Sequence, residues 1–460
     1  MFSNLLLQKS VRIEDVIRCS ALRNRFKLAS WLLSCALLCL PASATTYFAT
    51  PTGTGNGSSW ASAWKVNTIG WSSLNAGDIV CIAGGTHSGS LATGKSGSAG
   101  KPIVIRRAVA SDAACGSSTP GWNAANDAQA VIGSITLNND YVTIDGAVPN
   151  GIKINLGNSS GDPSAIGVTG PTNYVVLRYI EVAGPCGSTP CNQNSDSRSI
   201  NLNSWNGSSY DLQNNMLIQY ANLHGSCTIL WSAHSTNGII EHSRFADNAD
   251  STPGNPNCHP NVIATQDSTN MTFRYNEVTN WSVEGIMTCP NGGCSSSWDI
   301  YGNLWHDPMT DSYPRVLEVQ GNSNGPYRFY NNTVIGVSFA VHTTANGGSF
   351  APGSVGYNNI YWNSTSPALP SNDYDLCNSG CSETHLQTYS NTNLFANYLG
   401  QDYSLARATV PGFALASPYD TDYNGATRGA DGASDRGAYE YASGGRSGPT
   451  PPSGLTVVVR

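Results

Sequence analysis

Apolar and polar positions in the middle of the chain recur in a six-residue pattern: apolar, any, usually an aromatic residue, His or Asn, any, any, apolar. It appears at Leu177–Val182, Ile218–Leu223, Ile240–Phe245, Phe273–Val278, Ile300–Trp305, Phe329–Val334 and Val355–Ile360, with starts 41, 22, 33, 27, 29 and 26 residues apart. A looser copy begins at Ile144. Around each copy lie short β-prone segments punctuated by Asn, Gly, Ser and Pro, with no long helical periodicity between them. One such unit cannot bury its apolar face alone, whereas stacking unit on unit can, with strands about 4.8 Å apart. A period this variable suits coils that tolerate insertions, and so a parallel β-helix of about ten coils rather than a propeller. Asn276, Asn303, Asn331, Asn332, Asn358 and Asn359 fit its turns, where Asn accepts left-handed backbone and stacked amides form ladders.

Composition agrees and excludes other classes. Only 12% of residues are charged, with 48 Gly and 24 Pro, so a helical protein is disfavoured. Eleven Trp, 21 Tyr and 10 Phe exclude a disordered chain. A net charge of −7 argues against nucleic acid as a partner.

The first 44 residues read as a long-leader secretory signal. Arg18, Arg23, Arg25 and Lys27 precede the apolar run Leu28–Leu40, then Pro41 and the small-residue site Ala42–Ala44. Removing it takes six basic and two acidic residues, leaving 17 against 28, a net charge of −11, and ten of 13 cysteines. An exported protein, secreted or periplasmic, with no membrane span in its mature chain follows. Its even cysteine count suggests disulfides, with Cys186–Cys191, Cys289–Cys294 and Cys377–Cys381 paired by proximity. Cys81–Cys115 and Cys227–Cys258 would complete the set. Zinc is the weaker alternative, because the spacings are not paired C-x-x-C.

Both ends of the mature chain carry a resemblance. Tyr47–Pro51 with Gly53, Leu74–Val80, Gly84–Gly85 and Ser96–Ile105 resemble the opening cap and first coil of secreted right-handed parallel β-helix proteins, the superfamily of pectate lyases and of chondroitin and alginate lyases. Arg428 with Asp435–Tyr441 resembles its closing strand. The resemblance implies an all-β, right-handed, single-stranded parallel β-helix, a pectate lyase-like solenoid, over residues 45–441, with 442–460 a Gly/Pro-rich tail. It implies a monomer that engages polysaccharide or a cell-surface glycan. The scaffold also carries hydrolases and non-catalytic surface proteins, so activity must come from the site.

A second strand per coil aligns as Cys227–Leu230, Asn261–Ala264, Glu284–Met287, Arg315–Glu318 and Phe339–His342. This places Asn261, Glu284 and Arg315 in one column, with Glu318 beside His342. Counting from the preceding repeat instead sets Asp311 opposite Glu284. Residues 259–342 hold the densest ionisable cluster of a charge-poor chain. A lyase needs a base for the proton alpha to a uronate carboxylate and positive charge for the developing enolate. Arg315 or His259 would be the base, and Glu284 with Asp307 or Asp311 would hold calcium through oxygen ligands. Trp281, Trp305 and Tyr313, with His342 and Glu318, would contact the sugar. Chondroitin- and alginate-type lyases of this fold use a lysine base, yet Lys65, Lys95, Lys101 and Lys153 all lie outside the central coils. Three alternatives stand beside the lyase: a structural Glu284–Arg315 ion pair, a binding protein without catalysis, and a glycoside hydrolase using paired carboxylates. Asp420–Gly425 resembles the start of a calcium loop but lacks its remainder, so it reads as part of the closing region.

Overall fold

The computed structural model describes residues 44–157, 162–186, 196–248, 258–290, 294–309, 314–343, 348–365 and 369–441. The expected leader, apart from Ala44, and the expected tail lie outside them. The described chain winds into three long parallel sheets, one strand of each per coil. In one coil Leu217–Gln219 enters sheet one, Asn222–His224 sheet two and Thr228–Thr236 sheet three; Ile239–Glu241 then re-enters sheet one. Among the described residues sheets one and two run to 12 strands each; sheet three has nine stacked one per coil, plus the short second segments Thr172–Asn173 and Gln213–Asn214. The protein is thus an all-β single-chain parallel β-helix. Among the described residues no helix is long and apolar enough to cross a membrane.

The interior is built from columns of like side chains. Leu177, Ile218, Ile240, Phe273, Ile300 and Phe329 pair in sequence along sheet one and are all buried. In sheet three the inward column is Ile200, Leu230, Ile263, Ile286, Leu317 and Val341. A one-residue slip would turn every such column outward, so burial fixes the register.

The six-residue pattern marks the corner between sheets one and two. Counted in register, with Gly356 rather than Val355 aligned to Phe329, its third position is left-handed in every copy: Tyr179, Tyr220, His242, Tyr275, Gly302, Asn331 and Asn358 have φ between 48° and 65°. Rings at this corner bear a backbone penalty and stack against it: Tyr179, Tyr220, His242 and Tyr275 follow at 4.9, 5.3 and 5.2 Å. The fourth position points inward and becomes Asn in the later coils. Asn276 Nδ2 donates to Asn303 Oδ1 (3.2 Å), Asn303 to Asn332 (3.0 Å), Asn332 to Asn359 (3.1 Å) and Asn359 to Asp375 (3.1 Å). Each of these side-chain oxygens also accepts a backbone N–H of the coil before it. Asn303→Ala orphans the Asn276 backbone and side-chain donors and takes a donor from the Phe273 carbonyl and Asn332 Oδ1, and urea unfolding should show a loss of about 3 kcal/mol. A loss below about 1 kcal/mol would mean that the ladder contributes little.

Four of the expected disulfides are present: Cys81–Cys115, Cys227–Cys258, Cys289–Cys294 and Cys377–Cys381. Cys186 is also disulfide-bonded, while its expected partner Cys191 lies outside the described residues. Such cross-links fit an oxidising compartment. The closing region departs from expectation, for Asp435–Tyr441 forms no strand. Instead the buried Arg428 guanidinium donates to the carbonyls of Asp435, Gly437 and Ala438. Asp422 belongs to this closing network, its Oδ1 accepting from the Asn424 and Ala426 N–H groups and its Oδ2 from Glu440.

Candidate functional site

The outer face of sheet three carries the ionisable cluster. Strands Asn261–Thr269, Glu284–Thr288, Arg315–Val319 and Phe339–Thr343 stack in register, so Asn261, Glu284, Arg315 and Phe339 form one row. The register sets Arg315, not Asp311, opposite Glu284. Each strand bends after this position: Val262, Gly285 and Val316 are buried, and the next outward position comes three residues on. That second row holds Ala264, Met287, Glu318 and His342.

Between the rows runs a continuous polar chain. Asn261 Nδ2 donates to Glu284 Oε2 (2.8 Å) and Arg315 Nη1 to Glu284 Oε1 (3.1 Å). Arg315 Nε stands 3.1 Å from Glu318 Oε2, a charge contact rather than an aligned hydrogen bond. His342 Nδ1 meets the same Oε2 at 2.9 Å. Glu318 is fully buried, whereas the side chains of Arg315 and His342 keep 20% and 29% of their exposure. The face thus presents a guanidinium and an imidazole supported from beneath by carboxylates. No hydrogen-bond partner for His342 Nε2 occurs among the described residues. Burial pushes the Glu284 carboxyl up to about 7, Arg315 pulling against the rise and Glu318 adding to it.

His259 is displaced from this chain. It sits two residues before Asn261, is 64% exposed at the side chain, and places Nδ1 3.8 Å from Asp196 Oδ2. The Asp196 carboxylate raises the imidazole. Asp196 is itself buried, which pushes it up, but His259, Arg198 (2.7 Å) and the Thr228 hydroxyl (2.8 Å) hold it below the usual carboxylate range. Among the described residues no bond joins His259 to Glu284 or Arg315.

Three expected contacts need correction. Trp281 and Trp305 are fully buried, edge to face at 5.7 Å, and cannot meet a sugar. Trp281 acts from within, its indole N–H donating to the Arg315 carbonyl (3.2 Å). Asp307 lies in the turn after sheet-two strand Leu304–His306, bound to His306 (2.7 Å), so it does not converge with Glu284. Glu284 is meanwhile committed to Asn261 and Arg315. Glu284 and Asp307 therefore do not form the expected calcium site. Asp311 and Tyr313 lie outside the described residues.

Sequence reasoning missed Asp196, Arg198, Thr228 and Trp231. Leu230 pairs with Ile263, not Ala264, so the aligned segment starting at Cys227 was one residue out of step and Thr228 enters the row of Asn261. Asp196 and Arg198 follow a stretch without the six-residue pattern, which left no periodic signal for them.

Parallel β-helices from carbohydrate enzymes share this winding. Pectate lyase Pel9A aligns at 13% identity over 86% of this chain and 96% of its own, with a TM-score of 0.47. An alginate lyase from Paenibacillus sp. str. FPU-7 aligns at 12% over 75% and 99%, TM-score 0.43. XylC, in complex with xylose, aligns at 10% over 72% and 74%, TM-score 0.45. No protein-family model and no curated protein matches the chain. At these identities and scores, function must be argued from the side chains.

Proposed function

We propose that the protein is an exported polysaccharide lyase that binds a uronate-containing chain along the outer face of sheet three and cleaves it by β-elimination. The observation that carries this reading is the His342–Glu318 pair: a fully buried carboxylate fixes Nδ1, leaving Nε2 to meet substrate beside Arg315. The base role thus moves from Arg315 or His259 to His342. Nε2 takes the proton alpha to the uronate carboxylate, and Arg315 offsets the charge that develops there. The electron pair of that C–H bond becomes a C4–C5 double bond, the C4–O bond breaks, and the leaving oxygen takes a proton from the imidazolium or from water. Glu318 is a positioning residue, holding the imidazole in one tautomer. The net charge of −11 leaves Arg315, Arg198, His259 and His342 to supply local attraction for an anionic chain.

One observation favours a second reading, glycan binding without cleavage: Arg315 already contacts two carboxylates, Glu284 and Glu318. Incubating the full chain with pectin, alginate, a glycosaminoglycan and neutral glycans, with and without calcium, separates the two. Ultraviolet absorbance from unsaturated uronates is the expected result. New reducing ends without unsaturation would make it a hydrolase, and retention on a glycan column without products would make it a binding protein.

A further inference from the structure

The row that ends on His342 passes an aromatic ring four strands earlier. Asn201, Trp231, Ala264, Met287, Glu318 and His342 pair in turn across sheet three. Trp231 and His342 are four strand spacings apart, about 19 Å along the axis, the length of a short oligosaccharide. Between them the row passes through the buried Ala264 and Met287, with Asn261, Glu284 and Arg315 in the neighbouring row. The Arg198 guanidinium lies 5.3 Å from the Trp231 ring centre.

The chain leaves the sheet just beyond Asn201 and returns as a tight hairpin bridged between Trp205 and Tyr210. Asn206 Oδ1 accepts from the Ser208 and Ser209 N–H groups (both 3.1 Å), and its Nδ2 donates to Asp211 (2.9 Å). The Ser204 hydroxyl donates to Asp211 as well (2.8 Å). His234, three residues along the strand from Trp231, reaches the Tyr210 carbonyl (3.3 Å). This bracing holds Trp205 edge to face with Tyr210 at 5.0 Å and 58% exposed. Such a tryptophan adds little to the core, and its ring is fixed in advance, so a ligand stacking on it meets little ordering cost.

We propose that Trp205 and Trp231 form a remote stacking subsite for a pyranose ring of the same polysaccharide chain whose uronate lies at His342. The inference rests on the glycan reading above and adds to it a direction and a length. The chain lies parallel to the helix axis, gripped at the Trp231 end of the row and cut at the His342 end. Long chains are then preferred over short ones.

The test is Trp205→Ala in the full chain, whose exposed ring can be removed without opening the core. Trp205→Tyr serves as the conservative variant, and Leu399→Ala, at a residue 95% exposed elsewhere, as the control. Binding is measured calorimetrically to short and long oligosaccharides of polygalacturonate and of alginate. Trp205→Ala should weaken the long ligand about tenfold relative to the short one. Trp205→Tyr should retain most of the preference, and the control should match the parent. Equal losses for both lengths, or none, would overturn the subsite. Trp205-dependent binding without unsaturated products would sustain the subsite and remove the lyase. Unsaturated products made by Trp205→Ala with unchanged length preference would do the reverse. No binding of either glycan by the parent would overturn both.

Discussion

Alanine in place of His342 is expected to slow eliminative cleavage by about 10²–10⁴-fold, the usual worth of a positioned proton acceptor. The ring is partly exposed at the edge of the polar chain, so the variant should unfold at nearly the parental urea midpoint. Glu318→Gln should move activity in the same direction by a different route. A buried carboxylate accepts from Nδ1–H and leaves Nε2 unprotonated. An amide can turn its NH₂ toward Nδ1 and favour the opposite tautomer, whose Nε2 carries a proton and cannot act as a base. If His342→Ala cleaves as fast as the parent while the fold is intact, the assignment of the base is wrong.

The second large effect is on stability. Arg315 is the only cation whose ion pairs reach both Glu284 and Glu318 among the described residues. Arg315→Met leaves one fully buried and one nearly buried carboxylate uncompensated, and should destabilise the protein by about 3–5 kcal/mol at neutral pH. Its pH dependence has a definite sign. The folded value of Glu284, about 7, lies above its ordinary 4.5, so the folded state holds more protons than the unfolded one. This group's contribution is most favourable below pH 4.5 and declines as pH rises through 7. Without Arg315 the folded value climbs further and the decline extends to higher pH. Urea unfolding at pH 5 and pH 8 should therefore show a larger deficit at pH 8. Equal deficits at the two pH values would mean that packing, not charge, is what Arg315 contributes.

How much of this was legible in the sequence depends on which force set each position. Leu177, Ile218 and Phe273 announce the coils because burial demands an apolar residue at one place per turn. Tyr179, Tyr220 and His242 announce the corner because few side chains other than Asn or a stacked ring hold left-handed backbone there. The same alignment put Glu284 opposite Arg315 and Glu318 beside His342, since residues in register are neighbours whatever their chemistry. Inward and outward were harder. Trp281 and Trp305 have a composition that suits a sugar platform as well as a core, and only their place on the coil decides between the two. Asp307 sits within 30 residues of Glu284 in sequence yet on another sheet, because a coil carries neighbours in sequence around to a different face. Arg198 stacks in register on Thr228, but the six-residue pattern is absent from the stretch before it, and Asp196 lies just outside the strand, held by Arg198, Thr228 and His259.

The asparagine ladder also has a sense of direction. Every amide from Asn276 onward gives its N–H to the coil that follows and receives from the coil before. The series ends on a carboxyl in place of an amide, which burial and the neighbouring Glu383 push well above the usual carboxylate range. Asp375 accepts both the backbone and side-chain N–H of Asn359, and the hand-over stops there. Beyond it the chain's own structure already covers the stack: Leu376–Cys377 pairs with Gln387–Thr388, and the Arg436 guanidinium donates to the Asp375 carbonyl. Asp375 is thus where the amide column gives way to the closing region, so the length of that column is set inside the molecule.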